Sequence, residues 1–280
     1  MAFGTDLHIS RAREHLESGE PQRLRYACLE LRYALERIAY HKLELRLDKV
    51  SPEEVAAWQP SRVMEILMEL VDENLGQDFT VQIAKEIEPG VVLEDEFSTL
   101  GKVKGISPRK LGKHWHKISS YLHVQKPKKK GDKPVAPDTA TLKRYLKKVI
   151  NYIDEITKTG FDAYFSSDVT FECGKCDQKI VRNPKLLKPE SVVQCQNPNC
   201  DASHITKIEN GKFIFELYRL PIDCQNCGER EYFEANFFLK MKTSKSTILQ
   251  CNKCDTRYVA SWSIKYRFES ETDRNKLRQP

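Results

Sequence analysis

The chain has 280 residues, 40% of them hydrophobic, which fits two domains or one domain with appended modules. No apolar run approaches the roughly 20 residues of a membrane span, and MAFGTDLHIS does not read as a secretory signal. The expected compartment is cytoplasmic, where cysteine pairs are more often metal sites than disulfides. The net charge of +6 hides a partition. Residues 1–100 hold 11 Lys+Arg against 20 Asp+Glu (net −9), residues 101–150 hold 15 against 2 (net +13), and the rest hold 20 against 18 (net +2). Such a local excess either attracts polyanions by releasing their counterions or is a solvated lysine face neutralised by the same domain's acidic part.

Residues 1–165 read as an α-helical bundle. The first helix runs from Thr5 to about Ser18 and ends in Ser-Gly-Glu-Pro, a stop and restart signal. Leu24, Cys28, Leu31, Leu35 and Ile38 then recur at four- and three-residue steps, one apolar stripe on a long second helix. Cys28, inside that stripe, reads as a small buried hydrophobe. A third helical region is expected to open at Ser51-Pro52-Glu53-Glu54, with Ser51 as N-cap and Glu54 closing a capping box. Pro60 interrupts it, and Val63, Ile66, Leu67, Leu70 and Val71 supply the next apolar face, closed by Gly76.

Near 79–105 the helical period is lost. Thr80 to Ala84 alternates, Pro89-Gly90 marks a turn and Val91 to Leu93 is β-prone, so a small hairpin is inserted in the bundle. Ser107-Pro108 repeats the N-cap and N1 chemistry and starts a helix that runs to about Val124. Residues 125–138, with three prolines, a glycine and five lysines, form a basic loop. Leu142, Leu146, Val149, Ile150, Ile153 and Ile156 rebuild a helix face up to Gly160. Four or five helices with short connections make a bundle the simplest architecture.

Eight of the nine cysteines fall in four close pairs: Cys173 and Cys176, Cys195 and Cys200, Cys224 and Cys227, Cys251 and Cys254. Two pairs about 20 residues apart make one ribbon, each pair on a tight turn whose thiolates point at a shared ion. This predicts two β zinc ribbons, over 166–218 and 219–270, with a tail at 271–280 and two structural Zn²⁺. The intervening β-prone stretches are 179–181 and 192–193 in the first ribbon, and 232–239 and 246–249 in the second. A ribbon of about 50 residues buries too little surface to fold alone, so metal supplies much of its stability. Four thiolates leave no open position for catalysis. His204 could replace a ligand, but four cysteines already suffice. In the second ribbon Tyr258, Trp262 and Tyr266 share a strand face with Ala260 and Ile264, opposite Arg257, Lys265 and Arg267. The aromatics are either the module's core or a stacking platform for bases.

The helix from Pro108 carries a second constellation. Leu111, Trp115, Ile118 and Leu122 form its buried stripe, while Arg109, His116 and His123 lie seven apart on an adjoining stripe with Gly112 and Ser119. An arginine can clamp a phosphodiester and a histidine can move the proton of an RNA 2′-OH, without a metal. His114 lies on a different side of the helix. The alternative is a helix whose histidines face solvent or hydrogen-bond within the bundle. Lys110, Lys113 and Lys117, with Lys128, Lys129 and Lys130 of the basic loop, are the candidate nucleic-acid contacts.

With Arg109-x4-His114 and Arg109-x6-His116 near the start of a late helix, and LRYACLELRYALERIAY in the second, residues 1–160 resemble the HEPN superfamily. The resemblance implies a homodimer with a shared cleft and metal-independent RNA cleavage, often in phage defence or toxin systems; many relatives are instead binding or dimerisation modules. The fold class is therefore α+β and multidomain: a HEPN-like helical bundle with a small β insertion, then two zinc ribbons. The expected function is nucleic-acid or protein binding, with ribonuclease and structural subunit as alternatives. No Gly-rich phosphate loop or nucleotide fingerprint points to an NTP-driven activity.

Overall fold

The structure is a computed structural model and describes residues 3–88, 91–92, 97–123, 138–159, 168–242 and 245–261. Lys128, Lys129, Lys130, nearly all of the basic loop, Trp262, Ile264, Lys265, Tyr266, Arg267 and the tail lie outside the described residues. The chain divides into two compact units: Met1–Glu172 with Asp177–Lys188 and Gln196–Asn199, and the remainder.

Among the described residues the first unit contains five α-helices: α1 (Asp6–Glu17), α2 (Arg23–Glu44), α3 (Pro60–Leu70), α4 (Pro108–Leu122) and α5 (Thr139–Thr157). The stripe Leu24, Cys28, Leu31, Leu35, Ile38 is wholly buried, because α2 packs against each of the other four helices. Burial pushes the Cys28 thiol up to about 12, so it is a packing atom rather than a nucleophile. The predicted faces of α3 and α5 are likewise in the core.

The expected helix at Ser51 does not form. Its capping box does: the Ser51 N–H donates to Glu54 Oε2 at 2.6 Å and the Glu54 N–H to Ser51 Oγ at 3.3 Å. Residues 52–55 are nevertheless only a turn, and Gln59 is extended (ψ 127°). Pro60 disfavours α geometry at the residue before it, so α3 starts afresh at Pro60 and cannot continue any earlier turn. The inserted hairpin is β1 (Phe79–Ile83) paired antiparallel with β4 (Ser98–Val103), enclosing β2 (Glu86–Glu88) paired with β3 (Val91–Val92).

Helix α4 is capped by Ser107 Oγ, which accepts from the Lys110 N–H. Trp115 donates its Nε1–H to Glu36 at 2.8 Å while the Arg32 guanidinium lies 4.8 Å over its ring. A Cβ at Gly112 would sit 2.8 Å from Ser61 Cβ, so this glycine lets α4 approach α3 closely. The same unit includes the hairpin β5 (Val169–Glu172) with β6 (Lys179–Arg182). Arg182, 3% exposed, donates to the Lys49 carbonyl at 2.6 Å and to both Glu54 carboxylate oxygens at 3.2 Å. Asn183 donates to the Val71 carbonyl at 3.1 Å. A stretch that the cysteine spacing places within a ribbon is thus stitched into the helical unit.

The second unit holds a three-stranded antiparallel sheet, β7 (Val192–Gln194), β8 (Ser203–Glu209) and β9 (Lys212–Leu217). Asn210 and Gly211, at φ 51° and 74°, turn the chain from β8 to β9. Two hairpins follow, β10 (Arg219–Asp223) with β11 (Arg230–Glu234), and β12 (Ser246–Gln250) with β13 (Arg257–Ser261). The stretch expected to be strand over 232–239 stops at Glu234 and becomes a single helical turn, α6 (Ala235–Leu239). In a strand Ala235 and Phe238 would face opposite ways; one helical turn puts both inside, leaving Phe237 49% exposed. The α+β class holds, with helices first and small antiparallel sheets after them. No helix among the described residues is long and apolar enough to cross a membrane.

Candidate metal centres

Three of the four cysteine pairs are C-x2-C, and each is followed by a residue in the left-handed region: Asp177 (φ 57°), Gly228 (φ 71°) and Asp255 (φ 57°). That conformation reverses the chain at once, so the Gly228 N–H returns to the Cys224 carbonyl at 2.9 Å and the Asp255 N–H to the Cys251 carbonyl at 3.0 Å. Both thiols of a pair then lie on the inside of one turn. Glycine and aspartate tolerate this backbone better than β-branched residues do. The fourth pair, Cys195 and Cys200, has two more intervening residues and closes through a Cys195 N–H to Ala202 carbonyl bond of 2.9 Å.

The pairs converge as the spacing predicts. Cys173, Cys176, Cys195 and Cys200 form one group and Cys224, Cys227, Cys251 and Cys254 another, with the sulfurs of each group within 4.8 Å of one another. Cross-pair Sγ···Sγ separations are 3.9 Å (Cys173, Cys200) and 3.6 Å (Cys176, Cys195) in the first, 3.6 Å (Cys224, Cys254) and 3.7 Å (Cys227, Cys251) in the second. Four thiolates bound about 2.3 Å from a shared tetrahedral ion lie about 3.8 Å apart. All eight cysteines are free of disulfides. The donor sets therefore fit two closed, four-coordinate centres able to hold two zinc ions.

The surroundings suit concentrated negative charge. The Cys227 N–H donates to Cys224 Sγ at 3.4 Å and the Asn226 amide to Cys254 Sγ at 3.6 Å. The Tyr258 hydroxyl donates to Cys224 Sγ and pulls that thiol down to about 6. Such outer partners orient and stabilise thiolates. Tyr258 is thus a support of the second centre, and its strand neighbour Ala260 is half-buried beside exposed Arg257. His204 is no ligand: it is 2% exposed on β8 and its Nε2 accepts from the Gly174 N–H at 3.3 Å. Asn236 of α6 links the ribbons, donating to the Gln194 side chain at 3.2 Å and the Asp201 carbonyl at 2.9 Å.

The polar candidates on α4 separate. Arg109, His116 and His123 are exposed, as are Lys110, Lys113 and Lys117, while Gly112 and Ser119 of the same expected stripe are buried. His114 is buried between helices, with Nδ1 2.9 Å from the Tyr145 hydroxyl and its ring 4.9 Å from that of Tyr152. Burial first, then Lys110, Lys148, Lys113 and Lys117, push its pKa down to about 4. It is neutral at pH 7 and far from poised for proton transfer. The spacing placed His114 away from Arg109 but could not show that α5 covers it.

No family model, no curated protein and no solved structure matches this chain. The metal centres and the α4 face are therefore the features on which a functional assignment rests.

The His114 shift has a pH consequence. Below its unfolded value of 6.5 the unfolded chain binds a proton that the folded chain refuses down to about 4, so stability falls as pH drops through this window. After discounting for solvent screening the loss by pH 4 is about 2 kcal/mol. His114→Gln should flatten the pH 4–6.5 limb of the helical unit's denaturation midpoint. An NMR titration of the His114 ring with a midpoint above about 6 would contradict the assignment.

Proposed function

We propose that this is a zinc-stabilised nucleic-acid-binding protein in which the helical unit presents the cationic contact surface and the ribbons are metal-held recognition modules. The carrying observation is that Arg109, Lys110, Lys113 and Lys117 are exposed on one helix and none makes an ion pair among the described residues. Several other cations of the unit are matched, as in Arg13 with Asp154, Arg37 with Glu44 and Lys104 with Asp78. Cations left uncompensated at a surface favour a polyanion.

Binding of a single-stranded RNA or DNA oligonucleotide should weaken steeply as salt rises. Replacing Lys110, Lys113 and Lys117 by glutamine should lower the log–log slope by about 0.7 for each phosphate that a lysine no longer neutralises. Affinity independent of salt, with protein partners recovered instead, would favour a scaffold. A second reading, the HEPN-like ribonuclease, draws on Arg109 and His116, both exposed on α4 and separated by six residues. Metal-independent cleavage that survives in Arg109→Ala and His116→Ala would remove it. The shared-cleft homodimer belongs to that reading.

A further inference from the structure

A groove of about 380 Å³ lies between α4 and α5, lined by Lys110, His114, Arg144, Lys147, Lys148, Asn151, Tyr152 and Glu155. Four formal cations meet one carboxylate there. None of Lys110, Arg144, Lys147 and Lys148 makes an ion pair among the described residues; Arg144 donates to Thr141 Oγ1 at 3.5 Å and is otherwise within electrostatic reach of Asp138 without touching it. The adjacent acid Asp154 is engaged by Arg13 at 2.5 Å and so is not free to balance the groove. Like charges that outnumber their counter-charges raise the energy of the free protein, and an anion relieves it.

Tyr152 is an independent pointer. Its side chain is 6% exposed, it lines the groove, and its hydroxyl is buried without a hydrogen-bond partner. An unmet buried hydroxyl has lost its water and gained nothing in return, and an acceptor in the groove that displaced the side chains sealing it would restore the missing bond. Lys110 Nζ stands 4.5 Å over the Tyr152 ring, holding one ammonium at the groove wall. His114 adds a ring and no charge.

We propose that this groove is a phosphate-binding site, in which Lys110, Arg144, Lys147 and Lys148 attract the anion and Tyr152 donates to it. Its ligand is a phosphodiester of a nucleic-acid strand; that identity rests on the reading above, whereas the site itself does not. A volume at the lower end of the range for ligand pockets suits one nucleotide unit rather than a duplex.

The test uses the full-length, zinc-loaded chain and a 5′-labelled single-stranded oligonucleotide. The triple variant Arg144→Gln, Lys147→Gln, Lys148→Gln should lose about tenfold or more in affinity at moderate salt. A variant with the same charge change at exposed cations away from the groove and the ribbons, Arg25→Gln, Lys85→Gln, Lys102→Gln, should lose less than about twofold. Tyr152→Phe should weaken binding about three- to tenfold without lowering the melting temperature, since it deletes an unsatisfied hydroxyl. Equal losses in the two triple variants, or none in the first, overturn the site. If the parent binds no oligonucleotide, inorganic pyrophosphate becomes the probe. Saturable NMR shifts at Tyr152 and His114 in the parent but not in the α5 variant keep the site and remove only the nucleic-acid assignment. No shifts in the parent remove both.

Discussion

Cys173→Ala should lower the zinc content of the purified protein from near two to near one atom per chain and unfold the first metal-held module. Cys173 is fully buried and its Sγ lies 3.9 Å from that of Cys200. Removing it leaves three thiolates facing a cation with an open position, and the three-stranded sheet β7–β8–β9 has no large core of its own: Val193, Ala202 and the cysteines supply most of its buried apolar atoms. Structural zinc contributes on the order of 10 kcal/mol to such modules, more than the marginal stability of a small domain can spare. Elemental analysis gives the stoichiometry, and hydrogen exchange of the β7–β9 amides gives the structure. Unchanged protection in a one-zinc protein would show that the sheet stands without its ion.

The second large effect is expected at Arg182→Ala, which should destabilise the helical unit by about 3 kcal/mol, or roughly 10 °C. The guanidinium is nearly sealed from water and donates to the Lys49 and Val181 carbonyls and to both oxygens of Glu54. Deleting it strands the Glu54 carboxylate, which is itself half of the Ser51 capping box. The pair Arg182→Met with Glu54→Leu should recover much of the loss, because apolar replacement of both partners avoids a lone buried charge. Denaturation followed through Trp115 reports this unit. A variant that unfolds within about 1 °C of the parent would mean that water already screens the pair.

Much of this structure is legible in the sequence because two signals are local. Cysteine knuckles depend on a few adjacent residues, so the convergence of eight cysteines into two groups follows from their spacing, and α2 and α5 follow from stripes of period 3.6. What failed required tertiary knowledge. The Ser51 box is real, yet the chain makes only a turn after it and starts its helix at Pro60. Strand propensity through Tyr232, Phe233, Phe237 and Phe238 gives way to the helical turn that buries Ala235 and Phe238. The α5 contributors to the phosphate groove are visible in the sequence only as part of a charge block, because Arg144, Lys147 and Lys148 acquire meaning from their position beside Lys110 and Tyr152. Arg182 gives no local cue at all, since its partners Glu54 and Lys49 are 128 and 133 positions away.

The left-handed residue that closes each tight cysteine turn reaches beyond this molecule. A pattern describing the architecture should extend one letter past the second cysteine and admit only a small alphabet there, aspartate, asparagine or glycine. Valine at position 177 or 255 would preserve every sulfur yet spoil the reversal that aims them. In a library of variants those two exposed aspartates should therefore tolerate change less well than other exposed residues, asparagine and glycine excepted, despite never touching the ion.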